Sequence, residues 1–68
     1  MKSNLNENIK FYRKEKNLTQ EQLAEAMGVS VGAVSKWENG ASAPELPLVM
    51  ELADFFGTSV DSLLGYKV

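Results

Sequence analysis

The sequence predicts an all-α fold, a compact domain of five short helices. Three observations predict it. Apolar residues recur at spacings of three and four. Most segments with this spacing start at Ser, Thr or Asn and stop at Gly or Asn, the residues that cap helices. No apolar/polar alternation persists, and β-branched residues are few.

Helix 1 is expected from about Leu5 to Lys16, with Leu5, Ile9 and Tyr12 as its inward stripe. Asn4, with Glu7 three residues on, has the spacing of a capping box, and Asn17 is a left-handed stop before Leu18. Helix 2 runs from about Gln20 to Met27, with Thr19 as N-cap, Gln22 reaching back to it, and Gly28 as the stop. Leu23, Ala24 and Met27 form its inward face. Helix 3 runs from about Val31 to Asn39 between Ser30 and Gly40, and turns Val34 and Trp37 inward. Gly32 within it costs up to about 1 kcal/mol relative to Ala. Either this helix approaches another surface closely there, or the site simply tolerates glycine.

Helix 4 is expected from about Leu46 to Phe56, with Pro47 in its first turn and Gly57 as its stop. Its inward stripe is Leu46, Val49, Leu52, Ala53 and Phe56. Helix 5 is short, from about Val60 to Leu64, capped by Ser59 and ended by Gly65. Val60, Leu63 and Leu64 close the core, and residues 66–68 read as a frayed tail.

At 68 residues the chain reads as one domain, 1–68, of modest stability. It has no Cys and no His, so disulfides, thiolate or imidazole metal ligands and the commonest general base are all missing. There is no phosphate-cradling glycine loop, and so small a core leaves no room for an enclosed pocket. An enzyme, a metal site, a cofactor and a small-molecule ligand are therefore not expected. No apolar run approaches the roughly 20 residues that cross a bilayer, and the first ten residues lack the apolar stretch of a signal peptide. A cytoplasmic protein with no membrane contact is expected.

Net charge is −2, and the charge is polarised. Residues 1–36 carry six basic side chains against four acidic ones, and residues 37–68 carry one against five. Paired acids such as Glu21 and Glu25 are a solvated face at helical spacing.

Residues 19–40, two short helices joined by a tight turn containing Gly28, have the form of a helix-turn-helix, a unit that places its second helix in the DNA major groove. Ala24 is small enough for the two helices to cross closely, and a larger residue would cost roughly 1–3 kcal/mol there. Thr19 and Gln20 open helix 2, whose free N–H groups and positive dipole end favour a phosphate.

The order Leu18-Thr19-Gln20, Leu23-Ala24, Gly28-Val29-Ser30 and Trp37-Glu38-Asn39-Gly40, with flanking helices from Ile9 to Leu64, resembles the lambda-repressor-like, or Cro-like (XRE-type), helix-turn-helix family of bacterial and phage transcriptional regulators. The resemblance implies a five-helix DNA-binding domain with helix 3 as the recognition helix. It implies that Thr19 and Gln20 contact phosphate on one side of the groove, and Asn39 and Gly40 on the other. It also implies a partly buried ion pair between Arg13 and Glu38, the alternative being two solvated charges.

The outward face of helix 3 is then Ser30, Val31, Gly32, Ser35, Lys36 and Asn39, with Ala33 beside them. The family often places Arg, Gln, Lys or Thr at the leading positions, whereas Val31-Gly32-Ala33 carries no polar side chain. Base reading would rest on Lys36, Ser35 and Ser30, and Val31 and Ala33 would meet thymine methyls. The loop after helix 3 also lacks the usual Lys or Arg, so phosphate contacts there fall to backbone N–H groups and Ser42. Each of these residues has a bland counterpart as ordinary helix surface. Trp37 is core, and Phe11 and Phe55 are exposed apolar residues or a self-association surface.

The function implied is sequence-specific binding of double-stranded DNA by a transcriptional regulator, a repressor, acting as a homodimer. Two half-sites roughly 34–36 Å apart would restore the affinity that so few base readers lack. The dimer surface would lie on helix 5 or on a further domain. The alternative is an antitoxin-like or adaptor module that keeps the fold and offers its acidic helices to a basic protein partner.

Overall fold

The computed structural model describes residues 4–65. The chain forms five helices: α1 (Leu5–Glu15), α2 (Gln20–Met27), α3 (Val31–Asn39), α4 (Leu46–Phe56) and α5 (Val60–Leu64). The expected tail at 66–68 lies outside the described residues. No helix among the described residues is long and apolar enough to cross a membrane.

Local chemistry sets most of the boundaries. The Thr19 hydroxyl accepts the Gln22 N–H at 3.1 Å, and the Gln22 Oε1 accepts the Thr19 N–H at 2.9 Å, the reciprocal box expected for α2. Gly28 ends α2 at φ +72° and Gly40 ends α3 at φ +82°, in the left-handed region where a side chain is strained. Ser30 and Ser59 accept the N–H groups of Ala33 (3.1 Å) and Ser62 (3.0 Å), which caps α3 and α5. Asn17 is left-handed at φ 58°, as expected.

Two details of α1 differ from expectation. The helix ends at Glu15, and Lys16 turns its N–H back to the Tyr12 and Arg13 carbonyls as the C-cap. Asn4 makes no side-chain cap. Its backbone, at φ −114° and ψ 35°, is outside the extended region from which a cap side chain reaches forward. Its N–H instead donates to the Leu64 carbonyl at 3.1 Å, so the start of α1 is tied to the end of α5. Asn8 strengthens the same seam, its amide donating to the carbonyls of Leu63 (3.0 Å) and Ser62 (3.3 Å).

The core is one cluster: Ile9 from α1, Leu23 and Ala24 from α2, Val34 and Trp37 from α3, Val49, Leu52, Ala53 and Phe56 from α4, and Leu63 from α5. Tyr12 packs at its edge, with its ring stacked on Phe56 at 5.6 Å and its hydroxyl 3.2 Å from that of Thr58. Phe55 is half-buried under the Lys16 ammonium, whereas Phe11 is exposed.

Leu46 corrects the expected stripe of α4. It sits at the very start of the helix, 64% exposed, with Met50 one turn on and 56% exposed. Leu48 packs against the core beside Val49 instead. Leu46→Gln is therefore expected to change unfolding free energy by no more than about 0.5 kcal/mol, against about 2–5 kcal/mol lost by Leu52→Ala. Urea unfolding followed by circular dichroism measures both.

Candidate nucleic-acid interface

α3 is held in place by a buried ion pair. The Arg13 Nε and Nη2 donate to the two carboxylate oxygens of Glu38 at 2.6 and 3.0 Å, with side chains only 11% and 4% exposed. The Arg13 Nη1 donates to the Leu18 carbonyl at 2.7 Å, at the entry to α2. Gln20, expected only as a phosphate donor, gives one amide N–H to Glu38 Oε1 at 3.1 Å. No local spacing announces that contact, because the two residues are 18 positions apart and meet only through the crossing of α2 and α3. One carboxylate thus joins α1, α2 and α3.

Burial alone would raise the Glu38 pKa. Hydrogen bonds from Arg13 and Gln20, then the charges of Arg13 and Lys10, outweigh it and hold the carboxyl below its ordinary value. Among the described residues no buried side-chain polar atom lacks a partner.

The outward face of α3 carries the residues expected to read bases. Ser30, Val31, Gly32 and Lys36 are exposed, Ser35 is half-buried, and Ala33 is turned partly toward the core. A Cβ built at Gly32 would meet nothing closer than the Ser30 Oγ at 3.8 Å. No packing inside the domain requires glycine there.

The two flanks of α3 are unequally supplied with donors. On one side, the first-turn N–H groups of Gln20 and Glu21 have no intrahelical partner. On the other, the N–H groups of Gly40, Ala41 and Ser42 all turn back to the Lys36 carbonyl. The backbone donors expected at the start of that loop are therefore engaged within the chain. The Asn39 Oδ1 accepts the Ala41 N–H at 2.9 Å, which leaves the Asn39 amide N–H groups and the exposed Ser42 hydroxyl facing outward.

Between α1 and α3 lies an open groove of about 350 Å³ lined by Lys10, Arg13, Lys14, Gln20, Ser35, Glu38 and Asn39. It brings together three residues the sequence singles out for DNA contact, Gln20, Ser35 and Asn39, so Asn39 stands beside Gln20 and not across α3 from it as the resemblance implied, because the end of α3 and the start of α2 both border α1 here. It adds Lys10 and Lys14, which sequence reasoning missed. Their signal is their spacing, four apart on either side of Arg13, which puts both on the face of α1 that meets α3.

A family model described as Helix-turn-helix matches residues 9–63. The chain is 46% identical over 60 residues to the HTH-type transcriptional activator BcrR of Enterococcus faecalis, covering 88% of this chain and 29% of that protein. It is 33% identical over 61 residues to the cryptic phage CTXphi transcriptional repressor RstR of Vibrio cholerae, covering 90% of this chain and 54% of that protein. The chain thus spans about half the length of one curated relative and less than a third of the other. Among solved structures it is similar to the P22 c2 repressor in complex with synthetic operator 9T, with a TM-score of 0.84 at 30% identity over 93% of this chain and 96% of that one.

Arg13→Ala is expected to cost about 3–5 kcal/mol by leaving Glu38 buried and unpaired, a large share of the roughly 3–10 kcal/mol usual for a domain of this size. The acid limb carries a second expectation. Because the Glu38 pKa is lowered in the folded state, its contribution is complete above the ordinary glutamate pKa, about 4.3. It is lost as pH falls from there through the lowered value. Denaturant unfolding from pH 7 to pH 2 should show a shallower loss of stability below pH 4.3 for Glu38→Gln than for the wild type.

Proposed function

We propose that this chain, which belongs to the helix-turn-helix family, binds double-stranded DNA sequence-specifically as a transcriptional regulator, with α3 in the major groove. The observation that carries the proposal is the fixed relation between an exposed helix face and the donors beside it. The α2 N-terminus with Gln20 and the amide of Asn39 open onto one groove along α3, and Gln20 is tied to the buried carboxylate that holds α3 to α1. Phosphate contacts set register and angle, and the exposed face then reads bases.

In this arrangement Thr19 and Gln20 present the first-turn N–H groups and the remaining Gln20 amide proton to one backbone strand. Asn39 donates from its amide beside Gln20, while Gly40 lets the backbone come close and Ser42 adds a hydroxyl at the loop after α3. Lys36 donates to guanine O6 and N7, Ser30 and Ser35 add weaker polar contacts, and Val31 with Ala33 meets thymine methyls. With one strong reader per copy, a homodimer on two half-sites about 34–36 Å apart supplies the missing affinity. Repression is the favoured outcome, because it needs only occupancy of the site, and the RstR and P22 c2 relatives are named as repressors. The site of action is the cytoplasm.

A second reading, a protein-interaction module, is favoured by one observation. Leu46 and Met50 are exposed one turn apart on α4, in a segment that also carries exposed Glu45, Glu51 and Asp54. An NMR titration separates the two. Duplex DNA should perturb amides at the start of α2 and along α3, whereas a protein partner should perturb α4 and α5.

Selection from a random duplex pool at low salt tests the proposal directly, and failure to enrich any sequence would refute it. On the selected site, Lys36→Ala is expected to cost about 1–3 kcal/mol and to relax preference at one base pair. Gly32→Ala is expected to raise stability by roughly 0.5–1 kcal/mol while weakening operator binding, since the added methyl meets the DNA rather than the protein. Unfolding and mobility-shift titrations of the same variant read both effects.

A further inference from the structure

We infer that Asn39 and Gly40 form a self-modifying site. The Asn39 side chain loses its amide by attack of the Gly40 backbone nitrogen, and the carboxylate that results lowers the affinity of the chain for DNA as the protein ages. The covalent step stands on the geometry at the end of α3 alone. Its effect on DNA rests on the function proposed above.

Four observations support it. First, of the five asparagines, Asn39 is the one followed by glycine, whereas Leu5, Glu7, Ile9 and Leu18 follow the others. Glycine has no Cβ to crowd the attack and turns freely into the conformation that ring closure needs. Second, Asn39 is exposed and is the last residue of α3, and Gly40 beyond it is exposed and left-handed at φ +82°. Third, the Asn39 Oδ1 accepts the Ala41 N–H at 2.9 Å. That contact folds the side chain back along the backbone that follows it, toward the Gly40 nitrogen. It also holds a donor where negative charge collects when the amide carbon is attacked. Fourth, the nucleophile is restrained by a hydrogen bond of the last helical turn, from the Gly40 N–H to the Lys36 carbonyl, and helix ends open at little cost. The Asn8 amide, by contrast, is engaged by the carbonyls of Ser62 and Leu63 and precedes β-branched Ile9.

The step balances with water as co-reactant. The Gly40 nitrogen gives its proton to solvent and bonds to the side-chain amide carbon of Asn39, an intramolecular attack favoured by proximity. The amide nitrogen leaves as ammonia, which closes a succinimide ring. Water opens the ring at either carbonyl and leaves aspartate or isoaspartate at this position. Either product puts a second carboxylate beside Glu38 in the groove that Lys10, Arg13 and Lys14 line. The new charge stands at the C-terminal end of α3, where the helix dipole disfavours an anion. The outward amide N–H donors are replaced by an acceptor. Isoaspartate also lengthens the backbone ahead of Gly40, Ala41 and Ser42, whose N–H groups converge on the Lys36 carbonyl. One added charge set against a phosphate backbone corresponds to roughly five- to tenfold in affinity at 0.1 M salt.

The test ages the whole chain in neutral buffer at 37 °C and follows conversion of amide to acid at each asparagine by peptide mass mapping. Labelling with an isoaspartyl methyltransferase reports the isoaspartate. Asn39→Gln, whose longer side chain closes a ring far more slowly, is aged alongside, and Asn39→Asp is measured fresh. Thermal unfolding of fresh and aged samples separates loss of fold from loss of binding. Conversion is expected at Asn39 ahead of the other four asparagines, with exposed Asn4 and Asn17 as internal standards. Affinity for the selected duplex should fall with the converted fraction, while aged Asn39→Gln keeps the affinity it had when fresh. Asn39→Asp should bind roughly five- to tenfold more weakly than Asn39→Gln at 0.1 M salt. Conversion at Asn39 no faster than at Asn4 or Asn17 would overturn this inference and leave the proposed function standing. Conversion at Asn39 with duplex affinity unchanged would overturn its effect on DNA. A fresh wild type that binds no duplex would overturn the proposed function and that effect together, while mass mapping still decides the covalent step.

Discussion

The Arg13–Glu38 pair is the constraint on which the rest of this small domain depends. Taking two charges out of water costs several kcal/mol per ion, and only good geometry and further hydrogen bonds repay it. Here the pair is bidentate, the remaining guanidinium donor reaches the Leu18 carbonyl, and Gln20 completes the carboxylate. Apolar packing is non-directional, whereas the bidentate pair is directional, and a different lean of α3 would leave a buried charge poorly satisfied. The pair therefore bears on the angle of α3 as well as on stability.

That angle matters because the exposed face it presents is chemically sparse. Val31, Gly32 and Ala33 supply no hydrogen bond, and specificity falls on Lys36 with two serines. A reading surface of this kind gains from being held rigidly, since each contact is worth little unless it falls in place. The acidic residues of α4 and α5 belong to the half of the chain beyond α3, while Lys10 and Lys14 of α1 line the groove beside it. The net charge of −2 therefore misrepresents the field that a phosphate backbone would meet at the groove.

What the sequence made legible was local. The Thr19–Gln22 box, the Ser30 and Ser59 caps, the left-handed turns at Asn17, Gly28 and Gly40 and the Pro47 start all act within a few residues, and all stand in the structure. What it hid was decided between elements. Asn4 makes no side-chain cap because its backbone is turned out of the extended region, where its N–H meets the carbonyl of Leu64, 60 residues away. Leu46 fits the helical period of α4 yet lies too near its start to reach the core. Gln20 looked like a surface residue and is half committed to Glu38. The Arg13–Glu38 pair itself followed from resemblance, since a spacing of 25 residues carries no local signal. Lys10 and Lys14 entered only the charge count, and the crossing of α1 and α3 puts a groove between them and Ser35.

The seam between Asn4 and Leu64 has an architectural consequence. A backbone hydrogen bond of 3.1 Å joins the first described residue to the end of α5, and a Cβ at Gly65 would come within 3.1 Å of the same Asn4 nitrogen. The two ends of the described segment therefore meet at one doorway. Such a domain can be spliced into a longer polypeptide as a plug-in, with both connections made at a single point and little strain passed to the helices.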